Sequence, residues 1–412
     1  MLDTVIRHAN AMPAPTWRRL GMNHADIAVK TASGRIRAAS LDASGFVPDA
    51  APDAFDAALR SMPSVPARPS ATPTSDANDL DACALSRYQS ELAAREKRGD
   101  AASAFRTGAG ADAAAFVADL ASARAVLQTV PGSTGARAFV RLEAHEGEAC
   151  ANALDIVLAE DSVAEVSVLI DGTRAANGFL GSALRVFCGA RSRLTLSTLQ
   201  AGCADATVLD DAGCVLAEDA SVDVRHFALS AGASYTGFSC DLRGEAARVG
   251  ADVRYLGRGQ ADMDLNYVFE HRGPATISDL QANGVLAGES VKTLKATIDF
   301  IRGCKGASGH EQETALIAGE HAHNRSCPVI LCGEDDVAGD HGASIGHIDA
   351  DQMFYLASRG LSPDAAEALF SRSVLESALA ACPDDEWRRA VERIAGETLE
   401  TKEDEDPCPA WR

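Results

Sequence analysis

The chain has 412 residues, enough to bury a large core and to form two or three domains. Hydrophobic residues make up 46% and charged residues 24%, a composition typical of globular proteins. The formal net charge of −21 disfavours binding to nucleic acid or to an anionic membrane, because the phosphate groups would meet a repulsive field. A protein partner or a cation is therefore the expected class of ligand.

The N-terminal segment MLDTVIRHANAMPAPTWRRLG lacks the continuous apolar stretch of a secretory signal. No uncharged apolar run in the chain is long enough to span a bilayer. We therefore expect a cytoplasmic protein without membrane insertion. The 11 cysteines are scattered and odd in number, which argues against a disulfide framework and predicts that most are reduced and buried.

Residues 1–132 are rich in alanine and are predicted to be mostly helical. The segments LSRYQSELAAREKRG and ADAAAFVADLASARAVLQTV place apolar residues at helical spacing. From about residue 43 to residue 80, Pro, Ser, Ala and Asp dominate. Because that composition cannot form a packed core, this stretch is predicted to be a linker.

Residues 133–348 show the two-residue period of strands. Short alternating runs such as ARAFVRL, AEVSVLI and MDLNYVF are separated by corners of small residues. Near-regular spacing and few aromatic residues favour a stacked β-solenoid, in which each coil buries its inward row against its neighbours. A β-sandwich remains the alternative, because the repeat is irregular.

Residues 349–400 are predicted to form a helical domain with well-defined helix starts. Asp349 is placed to cap the first helix, and Ser362 is placed to cap the second, with Pro363 in its first turn. Residues 401–412 are charged and are predicted to form a disordered tail. The apolar sides of the later helices include Leu369, Phe370 and Trp387.

The sequence contains no motif that indicates an enzyme. It has no G-x-x-x-x-G-K-[ST] loop for phosphate binding, no G-x-S-x-G elbow and no H-E-x-x-H pair. We therefore expect a protein that is not an enzyme and that does not bind a nucleotide itself.

Histidines and cysteines are concentrated around residues 310–347. This window holds half of the ten histidines, and Cys304, Cys327 and Cys332 lie in it or just before it. Imidazole and thiolate are ligands that suit iron and zinc. The spacing is poor for a zinc site, however, because there is no C-x-x-C pair.

The residues of this window also have ordinary structural explanations. Cys327 and Cys332 are an odd number of residues apart, so on a strand they would face opposite ways and could simply be small buried hydrophobes. His321 and His323 would share a face if their segment is a strand, and both could be solvated. His341 lies in a Gly- and Asp-rich segment that predicts an exposed turn at the junction between strands and helices.

The run CPVILCGEDDVAGDHGASIGHIDADQMFYLASRGL resembles the SufD branch of the SufB/SufD family of iron–sulfur cluster assembly proteins. The signature is an H-G-A motif followed by a short Gly/Asp turn and an F-Y-L-x-S-R-G helix. The segments EHRGPATISDLQANGVLAGES and MPAPTWRRLGMN resemble two further parts of the same family. The resemblance extends from Pro13 to about Leu361.

This resemblance implies a right-handed parallel β-helix flanked by N-terminal and C-terminal helical domains. It implies pairing with a SufB-like subunit, or with a second copy of the chain, and docking of a SufC-like ATPase on the C-terminal helices. Leu369, Phe370 and Trp387 are the candidate docking residues. A transient iron–sulfur cluster or iron would lie where the two β-helices meet, and His341 of the H-G-A motif would be its ligand in this chain.

One position departs from the family pattern. Many relatives have a cysteine two residues before the motif histidine, whereas this chain has Gly339. Any thiolate must then come from the partner or from elsewhere in this chain, where Cys327, Cys332, His321 and His323 are weaker candidate ligands. The rival hypotheses are a β-helix lyase or hydrolase acting on carbohydrate and a metal-free β-solenoid that binds a partner.

Overall fold

The computed structural model describes residues 1–13, 21–62, 105–121, 123–319, 321–347 and 349–403. Its centre is a parallel β-helix with two long walls, and each coil contributes one strand to each wall. The strands from residue 124 onward are β5 (Arg124–Gln128), β6 (Ala136–Glu143), β7 (Ala149–Leu158), β8 (Val163–Gly172), β9 (Phe179–Cys188), β10 (Arg193–Gly202), β11 (Thr207–Leu216), β12 (Ser221–Ala228), β13 (Ala233–Leu242), β14 (Arg248–Gly257), β15 (Asp262–His271), β16 (Ile277–Leu286), β17 (Val291–Phe300), β18 (Ser308–Ile317), β19 (His323–Cys332) and β20 (Ala338–Gly346).

Strands two apart in chain order pair in parallel, so that β10 lies between β8 and β12, and β11 lies between β9 and β13. Paired residues of neighbouring coils therefore point the same way and form continuous rows. The inward rows build one long apolar core. The predicted β-solenoid is confirmed, and the β-sandwich alternative is wrong.

The coils differ in length, which is why the repeat is irregular in the sequence. Ser221 pairs with Arg248 on the next coil of its wall, whereas Ile277 pairs with Ser308. The extra residues lie in the corners, so the strands stay in register.

The N-terminal region begins with strands, and the prediction that it is mostly helical is wrong for the described residues up to residue 44. These strands are β1 (Leu2–Ala9), β2 (Ala25–Thr31), β3 (Ile36–Ala38) and β4 (Ser40–Ser44). β1 and β2 form an antiparallel pair that buries Ile6, Ile27 and Val29. Alternation of these β-branched residues outweighs the helical propensity of the alanines around them.

Two helices follow in the N-terminal region. They are α1 (Ala54–Ser61), which lies inside the predicted linker, and α2 (Ala111–Ala121). The predicted helix in LSRYQSELAAREKRG and the rest of the predicted linker, from residue 63, lie outside the described residues. The helical segment predicted from residue 111 ends at Ala121, and β5 takes over its second half.

Helices cover the outward faces of both walls. α1 and α2 pack on the wall that contains β7 and β9, where Phe55, Val117 and Phe179 are buried. The C-terminal helices α3 (Ala350–Ser358), α4 (Pro363–Ala380) and α5 (Asp385–Glu403) follow β20, and α4 and α5 pack on the other wall. Among the described residues, no helix has the length and apolarity needed to cross a membrane.

The predicted helix starts are confirmed. The Asp349 side chain accepts hydrogen bonds from the backbone N–H groups of Asp351 and Gln352, both at 2.8 Å, and Ser362 Oγ accepts one from Ala365. α5 continues to Glu403, so residues 401–403 belong to a helix, and the rest of the predicted tail lies outside the described residues.

The two ends of the β-helix differ. β3 and β4 pair with β7 and β6 and so cap the first coil. At the other end β19 and β20 are the terminal strands of their walls, and the residues of β20 are exposed or half-buried. The inside of the β-helix is therefore accessible at this end, which we call the open end.

A polar pocket interrupts the apolar interior near the middle of the β-helix. Thr198, Asp210, His226, Thr236 and Tyr267 supply its polar groups, apolar side chains complete its lining, and its volume of about 10 Å³ is at the lower limit for one water molecule. His226 Nδ1 lies 2.7 Å from the Tyr267 hydroxyl. Burial raises the pKa of Asp210 to about 7 and lowers that of His226 to about 3, so both side chains are predominantly uncharged near pH 6.

We expect Asp210→Asn to stabilise the protein at pH 8 and to have little effect at pH 4. The pKa of Asp210 is about 7 in the folded state and has its ordinary value of 3.8 in the unfolded state. Between these values only the folded state holds the proton, so the free energy of unfolding falls as pH rises through this window. The free energy of unfolding that is lost by pH 8 is on the order of a few kcal/mol. Asparagine does not ionise, so the variant does not have this loss. Urea unfolding at both pH values measures the difference.

The exposed Asp205, in the corner before the same strand, supplies a matched control. Asp205→Asn should leave the free energy of unfolding nearly unchanged at both pH values. An Asp210→Asn variant that is no more stable than the wild type at pH 8 would contradict the assignment of a buried, protonated carboxyl group.

Candidate functional site

His341 lies on strand β20 at the open end, not in the turn that the sequence predicts. Glycine and aspartate disfavour strands, but pairing with β18 imposes the strand conformation on this segment. His341 pairs with Glu311, so both side chains project toward the interior. Glu311 is buried under the last coil, whereas His341 is exposed because no further coil covers it.

The neighbours of His341 on β20 face different ways. Asp340 faces outward, and its side chain is hydrogen-bonded to His310 Nδ1 on β18. Gly339 faces inward, and a Cβ atom there would lie 2.7 Å from Phe300 Cε2. A cysteine at position 339 would therefore collide with Phe300. Glycine has no Cβ atom, so it fits at position 339 without this collision.

Charged side chains lie inside the β-helix below His341. Glu311, Glu313 and Lys292 are at most 3% exposed, and Lys292 Nζ forms an ion pair with Glu313 Oε1. Burial raises the pKa of Glu311 to about 7, helped by the negative charge of Glu313. Burial lowers the pKa of Lys292, while Glu313 opposes that shift. These residues were not predicted from the sequence, although the alternating glutamates in HEQETALI, a segment with the period of a strand, were a signal for them.

The two cysteines of β19 face opposite ways, as predicted. Cys327 faces outward and is fully buried against the N-terminal region, with Sγ 4.0 Å from Met22 Sδ. Burial raises the pKa of its thiol to about 11. Cys332 is exposed at the inward-facing end of the strand, and its thiol donates to the Glu334 carbonyl at 3.1 Å. Cys304 is buried, so of the three cysteines predicted from this window Cys332 alone is accessible at the open end.

The remaining histidines of the window do not gather around one point. His321 lies in a turn, and His323 is the first residue of β19, so the two do not share a strand face. Both are exposed, as is His347 beyond β20. In the described part of the chain, no three His, Cys, Asp or Glu side chains converge in a way that could hold a metal ion.

Trp387 packs inside the chain, which corrects its prediction as a docking residue. It is fully buried between α4, α5 and the β-helix, its ring meets Phe227 edge-on at 6.0 Å, and Nε1 donates to the Ala378 carbonyl at 3.1 Å. A side chain with these contacts has no surface left for a partner. Phe370 is half-buried against the same cluster, while Leu369 is 52% exposed.

Two exposed aromatic residues lie on α3 and were not singled out from the sequence. Phe354 is 75% exposed and Tyr355 is 57% exposed. Large apolar side chains at this exposure are common at protein–protein contacts. The sequence shows that both residues belong to the FYLASRG helix. Their exposure depends on how α3 is placed in the folded chain.

The β-helix and the first C-terminal helices match one protein-family model. Residues 140–374, more than half of the chain, match the model described as "SUF system FeS cluster assembly, SufBD core domain". The chain belongs to the SufBD family. This confirms the family that the H-G-A and F-Y-L-x-S-R-G motifs indicate.

Curated SufBD relatives match over shorter segments. A protein of Bacillus subtilis named iron–sulfur cluster assembly protein SufD is 29% identical over 114 residues, which cover 28% of this chain and 26% of that protein. SufBD family proteins of Mycobacterium bovis and Staphylococcus saprophyticus are 27% and 24% identical over 30% and 34% of this chain. The matched segments span 14% and 30% of those two relatives.

Proposed function

We propose that this chain is a non-catalytic, SufD-like scaffold subunit of a cytoplasmic SUF machinery for iron–sulfur cluster assembly. The observation that carries the proposal is His341, an exposed imidazole that projects inward at the open end of the β-helix. Imidazole nitrogen binds iron well, and an exposed edge leaves the other coordination positions to a partner. Iron or a nascent cluster is the cargo of the complex rather than a resident cofactor.

The open end is the proposed contact with a SufB-like subunit or with a second copy of this chain. β19 and β20 are the last strands of their walls, so each presents a strand edge. Strand edges bind partners through backbone hydrogen bonds, and proteins leave them accessible mainly where a partner covers them. Covering this end would also enclose His341.

The C-terminal helices are the proposed contact with a SufC-like ATPase. Phe354 and Tyr355 on α3 and Leu369 on α4 are exposed apolar side chains on successive helices. A helix that presents apolar side chains to a groove is a recurrent mode of docking. The ATPase would supply nucleotide hydrolysis, for which this chain has no sequence motif.

We expect the double variant Phe354→Ser, Tyr355→Ser to weaken binding of the SufC-like ATPase by at least about a hundredfold. Aromatic residues that anchor an interface typically contribute about 2 kcal/mol or more each. Both side chains are exposed, so their replacement should leave the fold intact. The three proteins are coexpressed, and ATPase affinity is measured on the purified subunits by calorimetry.

Val130→Ser serves as the control, because it removes another exposed apolar side chain, 53% exposed, that lies far from α3 in the sequence. The double variant should still copurify with the SufB-like subunit, since that contact lies at the open end. Wild-type affinity for the ATPase in the double variant would place the docking surface elsewhere. Failure of the chain to copurify with any SUF protein would overturn the proposed function.

A further inference from the structure

The interior of the β-helix is polar just below the open end. Lys292 on β17, Glu311 and Glu313 on β18, and Asn324 on β19 all face inward. Along most of its length the same interior is filled by Val, Leu, Ile and Ala side chains. Charged groups in such a place cost free energy unless they are paired or bind an ion.

A partner within the chain neutralises the charge of Glu313 but not that of Glu311. Glu313 Oε1 binds Lys292 Nζ and also accepts a hydrogen bond from the Tyr255 hydroxyl at 3.3 Å. Glu311 is only 3% exposed, and its Oε2 is buried with no hydrogen-bond partner among the described residues. Glu313 Oε2 also lacks a hydrogen-bond partner, but Glu313 has its ion pair with Lys292, whereas Glu311 forms neither an ion pair nor a side-chain hydrogen bond with the described residues.

Glu311 is the residue that pairs with His341 on the neighbouring strand. The two residues pair across β18 and β20, where neighbouring strands are about 4.8 Å apart and paired side chains project to the same face. Asp340, the sequence neighbour of His341, projects to the opposite face and contacts His310. Of the carboxylates on β18 and β20, only Glu311 both forms no ion pair and lies on the His341 side.

We propose that Glu311 is a second ligand, which binds ferrous iron together with His341. This inference rests on the proposed function, in which iron is bound at the open end. A carboxylate oxygen and an imidazole nitrogen form a donor pair that suits Fe²⁺, and the cation would offset the charge of the buried carboxylate. Two ligands from one chain leave the remaining coordination positions to the partner.

The test is the affinity of the assembled complex for Fe²⁺ under anaerobic conditions, measured by calorimetry. Glu311→Gln keeps the shape of the side chain and removes its anionic oxygen, so the affinity should fall by at least about tenfold. With Co²⁺ as a substitute probe, the variant should also change the intensity of the visible absorption bands, which depend on the ligand set. Asp340→Asn is the control: it makes the same chemical change at the residue before His341, which faces outward. It should alter neither the Fe²⁺ affinity nor the Co²⁺ absorption bands.

The outcomes separate this inference from the proposed function. If Glu311→Gln binds Fe²⁺ as the wild type does while His341→Ala loses the ion, Glu311 is not a ligand and the proposed function stands. If His341→Ala also keeps wild-type affinity, the proposed function itself fails. Should Glu311→Gln not assemble, Glu311→Asp takes its place. That variant draws the carboxylate back by one methylene group, so the affinity should fall severalfold, and unchanged affinity overturns the inference.

Discussion

Replacing Trp387 with alanine should lower the free energy of unfolding by about 3–5 kcal/mol. The side chain is fully buried, contacts Phe227 edge-on and donates a hydrogen bond to the Ala378 carbonyl. Its removal would leave a cavity between the C-terminal helices and the β-helix, which backbone relaxation fills only in part. Urea unfolding of the purified chain measures the loss.

Two further variants distinguish a packing role from a docking role. Trp387→Phe retains most of the ring and should recover part of the lost stability. Leu369→Ala removes a side chain that is 52% exposed and should change the free energy of unfolding by about 0.5 kcal/mol or less. A Trp387→Ala variant with wild-type stability that no longer binds the ATPase would instead assign Trp387 to the docking surface.

The packing of Trp387 also affects how the C-terminal helices can be tested. Helices α4 and α5 cover Leu199, Phe227 and Leu256 on the outward face of the β-helix. Deleting both helices would expose this apolar surface, and the truncated chain would be prone to aggregate. Point variants on the exposed side of α3 therefore test ATPase docking better than truncation does.

His341→Ala should abolish most of the iron or cluster content of the assembled complex while leaving the fold intact. The side chain is exposed on the terminal strand, so its loss should change the free energy of unfolding by about 0.5 kcal/mol or less. A methyl group cannot replace an imidazole ligand, and a site with few ligands cannot compensate. Iron and acid-labile sulfide are measured on the reconstituted complex.

Matched substitutions make the His341 result specific. His347→Ala removes another exposed histidine just beyond β20 and should leave the iron content unchanged. His341→Cys should restore part of the content, because a thiolate can also bind iron. If the His341→Ala complex assembles clusters at the wild-type rate, His341 has no role as a ligand and a metal-free scaffold becomes the better hypothesis.

Local patterns in the sequence were sufficient to predict the β-solenoid, the helix starts at Asp349 and Ser362, and the opposite facing of Cys327 and Cys332. Each depends on a period or a cap formed by residues close together in the chain. The family followed in the same way, from motifs a few residues long. These features do not require knowledge of what packs against them.

Tertiary structure decided what lies around those residues. Pairing with β18 makes a strand of the glycine-rich segment around His341 and brings Glu311 beside it from the preceding coil. Packing of α5 on the β-helix buries Trp387, while the placement of α3 exposes Phe354. The apolar pattern of a helix indicates that one side is buried, but it does not indicate which residues cover that side. Glu311 and His341 are separated in sequence by the length of a whole coil, and this length varies along the chain, so their pairing could not be predicted from the spacing.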